Sequence, residues 1–229
     1  MQFFIESALS AFELIVSFDP EVYFIIWTSL RVALVALLFA ALAGVPMGLL
    51  IALNRFTGKQ AVLLVLNTLM ALPTVVVGLF FYALLRRRGP LGTLELLFTP
   101  NGLSLGLFAL ALPLVLHLTI AAIEDLDPRI VITCKGLGAT PRQTAWKVLQ
   151  EARFAVTSAL VIAFGRVISE VGIAMMLGGN IRGFTRTMTT AIALETSKGE
   201  FVLGLALGFV LLAVAFGVNA LLFLLQRRR

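Results

Sequence analysis

Residues 101–123 read NGLSLGLFALALPLVLHLTIAAI, twenty-three positions without an acid, a lysine or an arginine. As a helix, about 20 apolar residues cross a hydrocarbon core of roughly 30 Å. This run therefore reads as a membrane span, and it decides the fold class. Uncharged runs of the same kind lie on both sides of it, at residues 32–53, 61–85 and 201–226. A fifth, 154–177, is strongly apolar but interrupted by Arg166 and Glu170. The expectation is an all-α integral membrane protein of five transmembrane helices, forming a single domain over residues 1–229.

Composition agrees. Sixty per cent of the 229 residues are hydrophobic and 13% are charged, with a mean hydropathy of +1.03, far from the mix of a soluble domain. The net charge of +6 would suggest nucleic acid in a soluble protein; in a membrane protein the place of each charge decides its meaning. Cys134 is the single cysteine and His117 the single histidine. That excludes an internal disulfide and a cysteine-built metal site, and no metal ligand set is expected.

The first 20 residues lack the basic start of a cleaved signal. Glu6, Ser10, Glu13 and Ser17 share one helical face, while Phe3, Phe4, Ile5, Leu9, Phe12 and Ile15 cover the rest. Residues 1–20 thus read as an interfacial helix, the alternative being an amphipathic leader without a role. Five spans put the termini on opposite sides. With the N-terminus outside, the inner loops carry Arg55, Lys59, Arg129, Lys135, Arg142, Lys147 and Arg153, and the tail at 227–229 adds three arginines. The outer side carries Arg86, Arg87, Arg88, Arg182, Arg186 and Lys198. The positive-inside rule favours an extracytoplasmic N-terminus and a cytoplasmic C-terminus, with Arg86 to Arg88 against the pattern.

The longest polar connection, residues 124–153, has helical punctuation. Asp127-Pro128 supplies an N-cap and a first-turn proline for a helix over 129–137, and Gly138 can end it at positive φ. Thr140-Pro141-Arg142-Gln143 is a capping box that starts a second helix. Ser197-Lys198-Gly199-Glu200 reads as another, opening the last span. From punctuation alone the loop is either a rigid elbow that receives a soluble partner or an ordinary helical hairpin.

Arg166 and Glu170 are four residues apart on one helical face and can neutralise each other; an unpaired charge at that depth costs at least about 2.5 kcal/mol. With Ser169 and Gly172 they either line a pathway or brace a bundle. Beyond them, Gly178, Gly179, Asn180, Arg182 and Arg186 lie in a loop rich in glycine and threonine. Accessible backbone N–H groups, hydroxyls and guanidinium forks are the donors that a tetrahedral dianion accepts. The same composition serves a solvated loop that turns the chain or docks a partner. Gly44-Val45-Pro46-Met47-Gly48, Pro73 and Pro113 can kink helices or permit close packing.

Gly138-Ala139-Thr140-Pro141, followed by Gln143-Thr144 and by Val148 ten positions after the glycine, resembles the cytoplasmic signature loop of ABC importer permeases. The chain departs from that signature in having Ile132-Thr133-Cys134 in place of Glu-Ala-Ala, Val148 for isoleucine and Gln150-Glu151 for Leu-Pro. The stretch 165–200, with Ser169-Glu170-Val171-Gly172, Gly178-Gly179-Asn180 and Ala191-Ile192-Ala193-Leu194-Glu195-Thr196, looks like the C-terminal half of tungstate-type permeases, relatives of the molybdate and sulfate permeases. The resemblance implies a coupling helix at about 138–147, with Lys135, Gly138, Ala139, Thr140, Pro141, Arg142, Gln143 and Lys147 facing an ABC ATPase dimer. It also implies a second copy of the chain, an extracytoplasmic substrate-binding protein and import of an oxyanion, tungstate first. No catalytic residue is implied, and no nucleic acid or cofactor; ATP and Mg would sit on the ATPase.

The chain carries no Gly-x-x-x-x-Gly-Lys-[Ser/Thr] loop, so ATP would be hydrolysed elsewhere. An ion-coupled secondary transporter or channel using Arg166 and Glu170 is the main rival, against which stand the short chain and the lack of an evident internal repeat. An intramembrane enzyme would need a Ser-His, paired-aspartate or His-Glu-x-x-His arrangement, and the sequence holds none.

Overall fold

Asp19 and Pro20 open the first long helix: the Asp19 carboxylate accepts the N–H groups of Glu21 and Val22, and proline fills the first turn. The computed structural model describes residues 19–227, without the side chains of 221, 222 and 224–227, together with residues 5, 6, 9, 10, 12, 13, 16 and 17. The interfacial helix expected over 1–20 lies for the most part outside the described residues. Among them the chain is helical throughout, with no strand. The helices are α1 (Pro20–Leu53), α2 (Lys59–Ala71), α3 (Thr74–Leu85), α4 (Pro100–Glu124), α5 (Arg129–Gly136), α6 (Pro141–Ile168), α7 (Met188–Ser197) and α8 (Phe201–Arg227). A π-helical turn, Ala174–Gly178, precedes α7.

Helix α1 packs along α4, α4 against α6, and α7 against α8. Gly44 and Gly48 are spaced for close approach of two helices. A Cβ at Gly44 would lie 2.9 Å from Val115 Cγ1, and one at Gly48 2.9 Å from Thr119 Cβ. Leu103, Ala111 and Val115 of α4 meet Ala33, Ala36 and Ala40 of α1 in the main core, which Phe164, Ile173 and Leu177 complete. The surfaces turned away from this core are large and apolar, as a lipid-facing wall must be: Leu38, Phe39 and Leu42 on α1, Leu79 and Phe80 on α3, Leu212 and Phe216 on α8.

The 34 residues of α1 span about 51 Å at 1.5 Å per residue, more than the core of a bilayer requires. Trp27 is exposed near its start, as is Arg31 one turn on. Trp146 is exposed near the start of α6, at the other end of the bundle. Tryptophan at both ends marks the two membrane interfaces.

The crossings follow from the contacts. One end holds the end of α1, the start of α2 and the end of α4, tied by Lys59 Nζ to Glu124 Oε1 at 2.8 Å and to the Ala52 carbonyl at 3.1 Å. The other holds the start of α1, the start of α4 and the loop before α7; here Phe98 N–H donates to the Leu177 carbonyl. Helix α2 leaves the first end and α3 delivers the chain to the second, so the pair makes one crossing. Together with α1, α4, α6 and α8 this gives five.

Several boundaries differ from the sequence expectation. The span expected over 61–85 bends by 95° between α2 and α3. Pro73 removes a donor and forces Leu72 into an extended conformation, ψ 135°. The first span begins at Pro20 rather than at residue 32. The fourth, expected over 154–177, is displaced: α6 runs without interruption from the capping box at Thr140 to Ile168 and then breaks. The box expected at Ser197 does not form. Ser197 ends α7, its hydroxyl returning to the Leu194 carbonyl, and Gly199 at φ 86° turns the chain into α8.

Candidate functional site

Three places gather the residues singled out in the sequence. The first is the elbow between α4 and α6. The Asp127 carboxylate accepts the Arg129 N–H at 2.8 Å. At the far end of α5, Gly138 at φ 75° donates to the Lys135 carbonyl and Ala139 to the Cys134 carbonyl, the paired bonds that end a helix on a left-handed residue. Thr140 and Gln143 then form the expected reciprocal box, Gln143 Oε1 accepting the Thr140 N–H at 2.8 Å. Thr144 and Val148 are buried, and Val148 packs with Leu49, Ile123, Ala152 and Val156. The elbow is thus fixed at its base and free at its tip.

Lys135, Gly138, Thr140, Pro141, Arg142, Gln143 and Lys147 are exposed there, with Ala139 half-buried and Lys147 paired to Glu151 at 2.6 Å. Sequence reasoning missed the apolar members of this tip. Leu137 is 83% exposed, and Ile132 of α5 is exposed as well; an apolar residue flanking the turn glycine was the available signal.

The second place is a junction of two helix breaks. Glu170 follows the end of α6 and is buried, with 4% of its surface exposed. Its carboxylate takes Arg166 Nη1 on Oε2 at 2.9 Å and the Ile173 N–H on Oε1 at 3.2 Å, while its carbonyl accepts the Thr189 hydroxyl. The ion pair expected from the spacing therefore forms, and one member also satisfies backbone left orphaned by the break. Gly172 sits against the start of α3: a Cβ there would meet Thr74 Oγ1 and Val75 Cγ2 at 3.1 Å. Ser169 is exposed and returns its hydroxyl to the Gly165 carbonyl. Irregular backbone at membrane depth persists only where protein or a cavity receives it, and here each break receives the other.

The third place is a clasp between the start of α1 and the loop 178–187. Arg186 Nη1 donates to Glu21 Oε1 at 3.3 Å and Arg182 Nη2 to Glu21 Oε2. Arg186 Nε is held by Asn180 Oδ1 at 3.2 Å, with Asn180 itself at φ 51°. The hydrogen bond and charge of Glu21 hold the Arg182 guanidinium pKa above its ordinary value. Gly178 is buried, its carbonyl accepting the Thr185 hydroxyl, and Gly179 at φ 68° lies against Phe98.

The loop is not the open cradle its composition suggested. Thr185, Thr187, Thr189 and Thr190 are buried and bonded internally, and the Ile181 carbonyl alone takes the N–H groups of Phe184, Thr185 and Arg186. The hydroxyls turn inward because they satisfy nearby backbone, that of Thr189 reaching the Glu170 carbonyl, and both arginines are engaged by Glu21. Glu21 was missed. An acid in a first helical turn reads as a favourable dipole contact and gives no sign of partners 161 and 165 positions away. Among the described residues no cluster of His, Cys, Asp or Glu could hold a metal.

The sequence pattern of the family described as binding-protein-dependent transport system inner membrane component matches residues 44–229. The chain belongs to this family. It is therefore a multi-pass membrane component of a transport system, and the fold agrees: a chain of the MetNI methionine ABC transporter in an inward-facing crystal form superposes with a TM-score of 0.75 at 16% identity, covering 92% of this chain and 98% of that one. The tungstate uptake system permease protein TupB of Peptoclostridium acidaminophilum is 39% identical over 226 residues, 99% of each chain. TupB of Campylobacter jejuni is 44% identical over 173 residues, 76% of this chain and 72% of that one.

Proposed function

We propose that this chain is the permease subunit of an ATP-driven importer that carries tungstate across the inner membrane. The observation that carries the reading is the 39% identity maintained over 99% of both chains with a tungstate uptake permease. The chain works as two copies beside an ATPase dimer that holds ATP and Mg, and it receives the anion from an extracytoplasmic binding protein. Molybdate and sulfate share the charge and tetrahedral geometry of tungstate and are the alternative cargoes.

The elbow at 124–153 is the ATPase dock. A rigid base with an exposed apolar tip at Leu137 transmits displacement instead of absorbing it. Arg55, Lys59, Arg129, Lys135, Arg142, Lys147 and Arg153 gather at that end, which supports a cytoplasmic elbow and C-terminus and an extracytoplasmic start of α1. The clasp then faces outward.

The pathway runs along the uncovered face of α6. Exposed residues on α1, α3 and α8 are mostly large and apolar, whereas one stripe of α6 exposes Ala155, Ser158, Ile162 and Arg166 and is continued past the helix end by Ser169, beside an open Gly165. Apart from Ile162 the stripe is small, hydroxylic and cationic, which suits water and an anion better than lipid, and the second copy would close it. Arg166 meets the anion, while Glu170 and Gly172 hold the adjoining break.

Uptake of labelled tungstate into vesicles holding the chain with its ATPase and binding protein tests the reading. Uptake that requires ATP and resists excess sulfate is expected. Flux without ATP would replace it with ion-coupled transport, and loss of the signal to molybdate or sulfate would reassign the cargo.

A further inference from the structure

We infer that Arg182 and Arg186 form an oxyanion-binding fork at the end of the bundle bearing the start of α1, and that Glu21 is its resident, exchangeable occupant. The inference rests on the oxyanion reading above and assigns a role to a residue outside the transport pathway. Two guanidiniums converge on one carboxylate, each taking a different oxygen. That is the arrangement with which arginine pairs recognise carboxylate, sulfate or phosphate groups.

The loop is built to aim these two groups. Thr185 closes it from within, bridging the Gly178 carbonyl and the Ile181 N–H, and Ile181 absorbs three further N–H donors. Asn180, a non-glycine residue at positive φ, holds Arg186 Nε. Backbone strain of that kind persists where the surroundings over-determine it, and here it fixes the direction of Arg186. The side chain of Arg186 is 15% exposed and that of Arg182 is 73% exposed. One arm is anchored and the other open to solvent.

Exchange of the occupant is cheap. The Glu21 side chain is 34% exposed and that of Arg182 73% exposed, and an ion pair this open to water contributes little. Released, Glu21 still sits in the first turn of α1, where the helix dipole favours a negative charge. A dianion brings twice the charge of a carboxylate to the same two cations. The arginines also line a cleft of about 300 Å³ with Lys198 on its wall, paired to Glu195 at 3.0 Å, and with Asp19, whose carboxylate is engaged in capping α1. Binding in that cleft would free the first turn of α1 from the loop, so occupancy and the position of α1 are linked.

The same oxyanion chemistry could arrive as a free inorganic dianion or as an acidic side chain of the docked binding protein, and the test separates the two. Calorimetric titration of the purified chain in nanodiscs with tungstate is one arm, and titration with anion-free binding protein is the other. Glu21→Gln should tighten binding about tenfold in the arm that carries the true occupant. Arg182→Gln, a change at an exposed side chain, should weaken that same arm at least tenfold while leaving the thermal midpoint unchanged. Glu21→Asp, which keeps a carboxylate, should stay near wild type.

If Glu21→Gln binds no more tightly than wild type in both arms, or if Arg182→Gln binds equally well, the fork is only a structural clasp. Wild-type uptake of tungstate is measured separately. It can stand when the fork fails, so the two readings fall independently.

Discussion

Gly172 and Thr74 touch across the meeting point of two interrupted helices, the site where a Cβ on residue 172 would come within 3.1 Å of the threonine hydroxyl. One interruption follows from Pro73, the other from the buried Glu170, and neither could lie in lipid alone. Replacing Gly172 with valine should overpack this contact, costing about 1–3 kcal/mol. A lowered thermal midpoint in detergent, with tungstate uptake falling more than protein abundance, would be the signature; an unchanged midpoint would show that the junction is loose.

Arg166 and Glu170 should respond unequally to neutralisation. Arg166→Gln strands a carboxylate that is 4% exposed, and breaking a buried pair in this way costs roughly 3–5 kcal/mol at most. Glu170→Gln leaves a guanidinium that is 45% exposed and able to reach water, so its cost should be smaller, about 1–2 kcal/mol. Denaturation midpoints of the two single variants and the double variant decide the matter. The double variant is expected near Glu170→Gln, and equal losses in both single variants would contradict the burial asymmetry.

At the elbow, Gly138→Val should separate folding from coupling. Nothing lies within 4 Å of a Cβ at that position, so no clash arises, but φ is 75° and a β-branched residue there costs about 1–2 kcal/mol locally. The protein should still reach the membrane while ATPase retention on affinity purification drops. Leu137→Asp, at a side chain 83% exposed, should give the same loss of ATPase with a change in stability within about 0.5 kcal/mol. Full ATPase retention in both variants would remove the elbow from the interface.

Thr140→Ala removes one half of the box that starts α6. A cost of about 1 kcal/mol is expected, read as a small drop in the unfolding midpoint. Thr140→Ser should be neutral, because serine supplies the same acceptor to the Gln143 N–H. A serine variant as destabilised as the alanine variant would place the effect in the methyl group instead of the cap.

The elbow was readable because its determinants are local. Asp127, Gly138, Thr140 and Gln143 each act on backbone no more than five positions away, and each acts as its residue type and spacing imply. The Arg166–Glu170 pair was readable for the same reason. Span limits were less legible, since apolar composition marks a stretch able to cross a bilayer without marking where its helix begins or breaks. Glu170 shows the difference: its spacing from Arg166 predicted the ion pair on one helical face, but the break beside it and its bond to the Ile173 N–H depended on burial that no spacing encodes.

By itself the sequence determined that this chain crosses a membrane several times and carries a capped elbow between two of its spans. Hydrophobic length and helix capping are properties of consecutive residues, and they act before any distant contact forms. Tertiary structure alone decided that Pro73 and Glu170 break their helices at one place, that the threonines of the loop turn inward, and that Glu21 fills the fork of Arg182 and Arg186. The first and last of those outcomes join residues 98 to 165 positions apart, among them the Gly172–Thr74 contact and the Arg186–Glu21 pair. For a charge or a hydroxyl, the partner reached in the packed bundle fixes which of several allowed bonds is made.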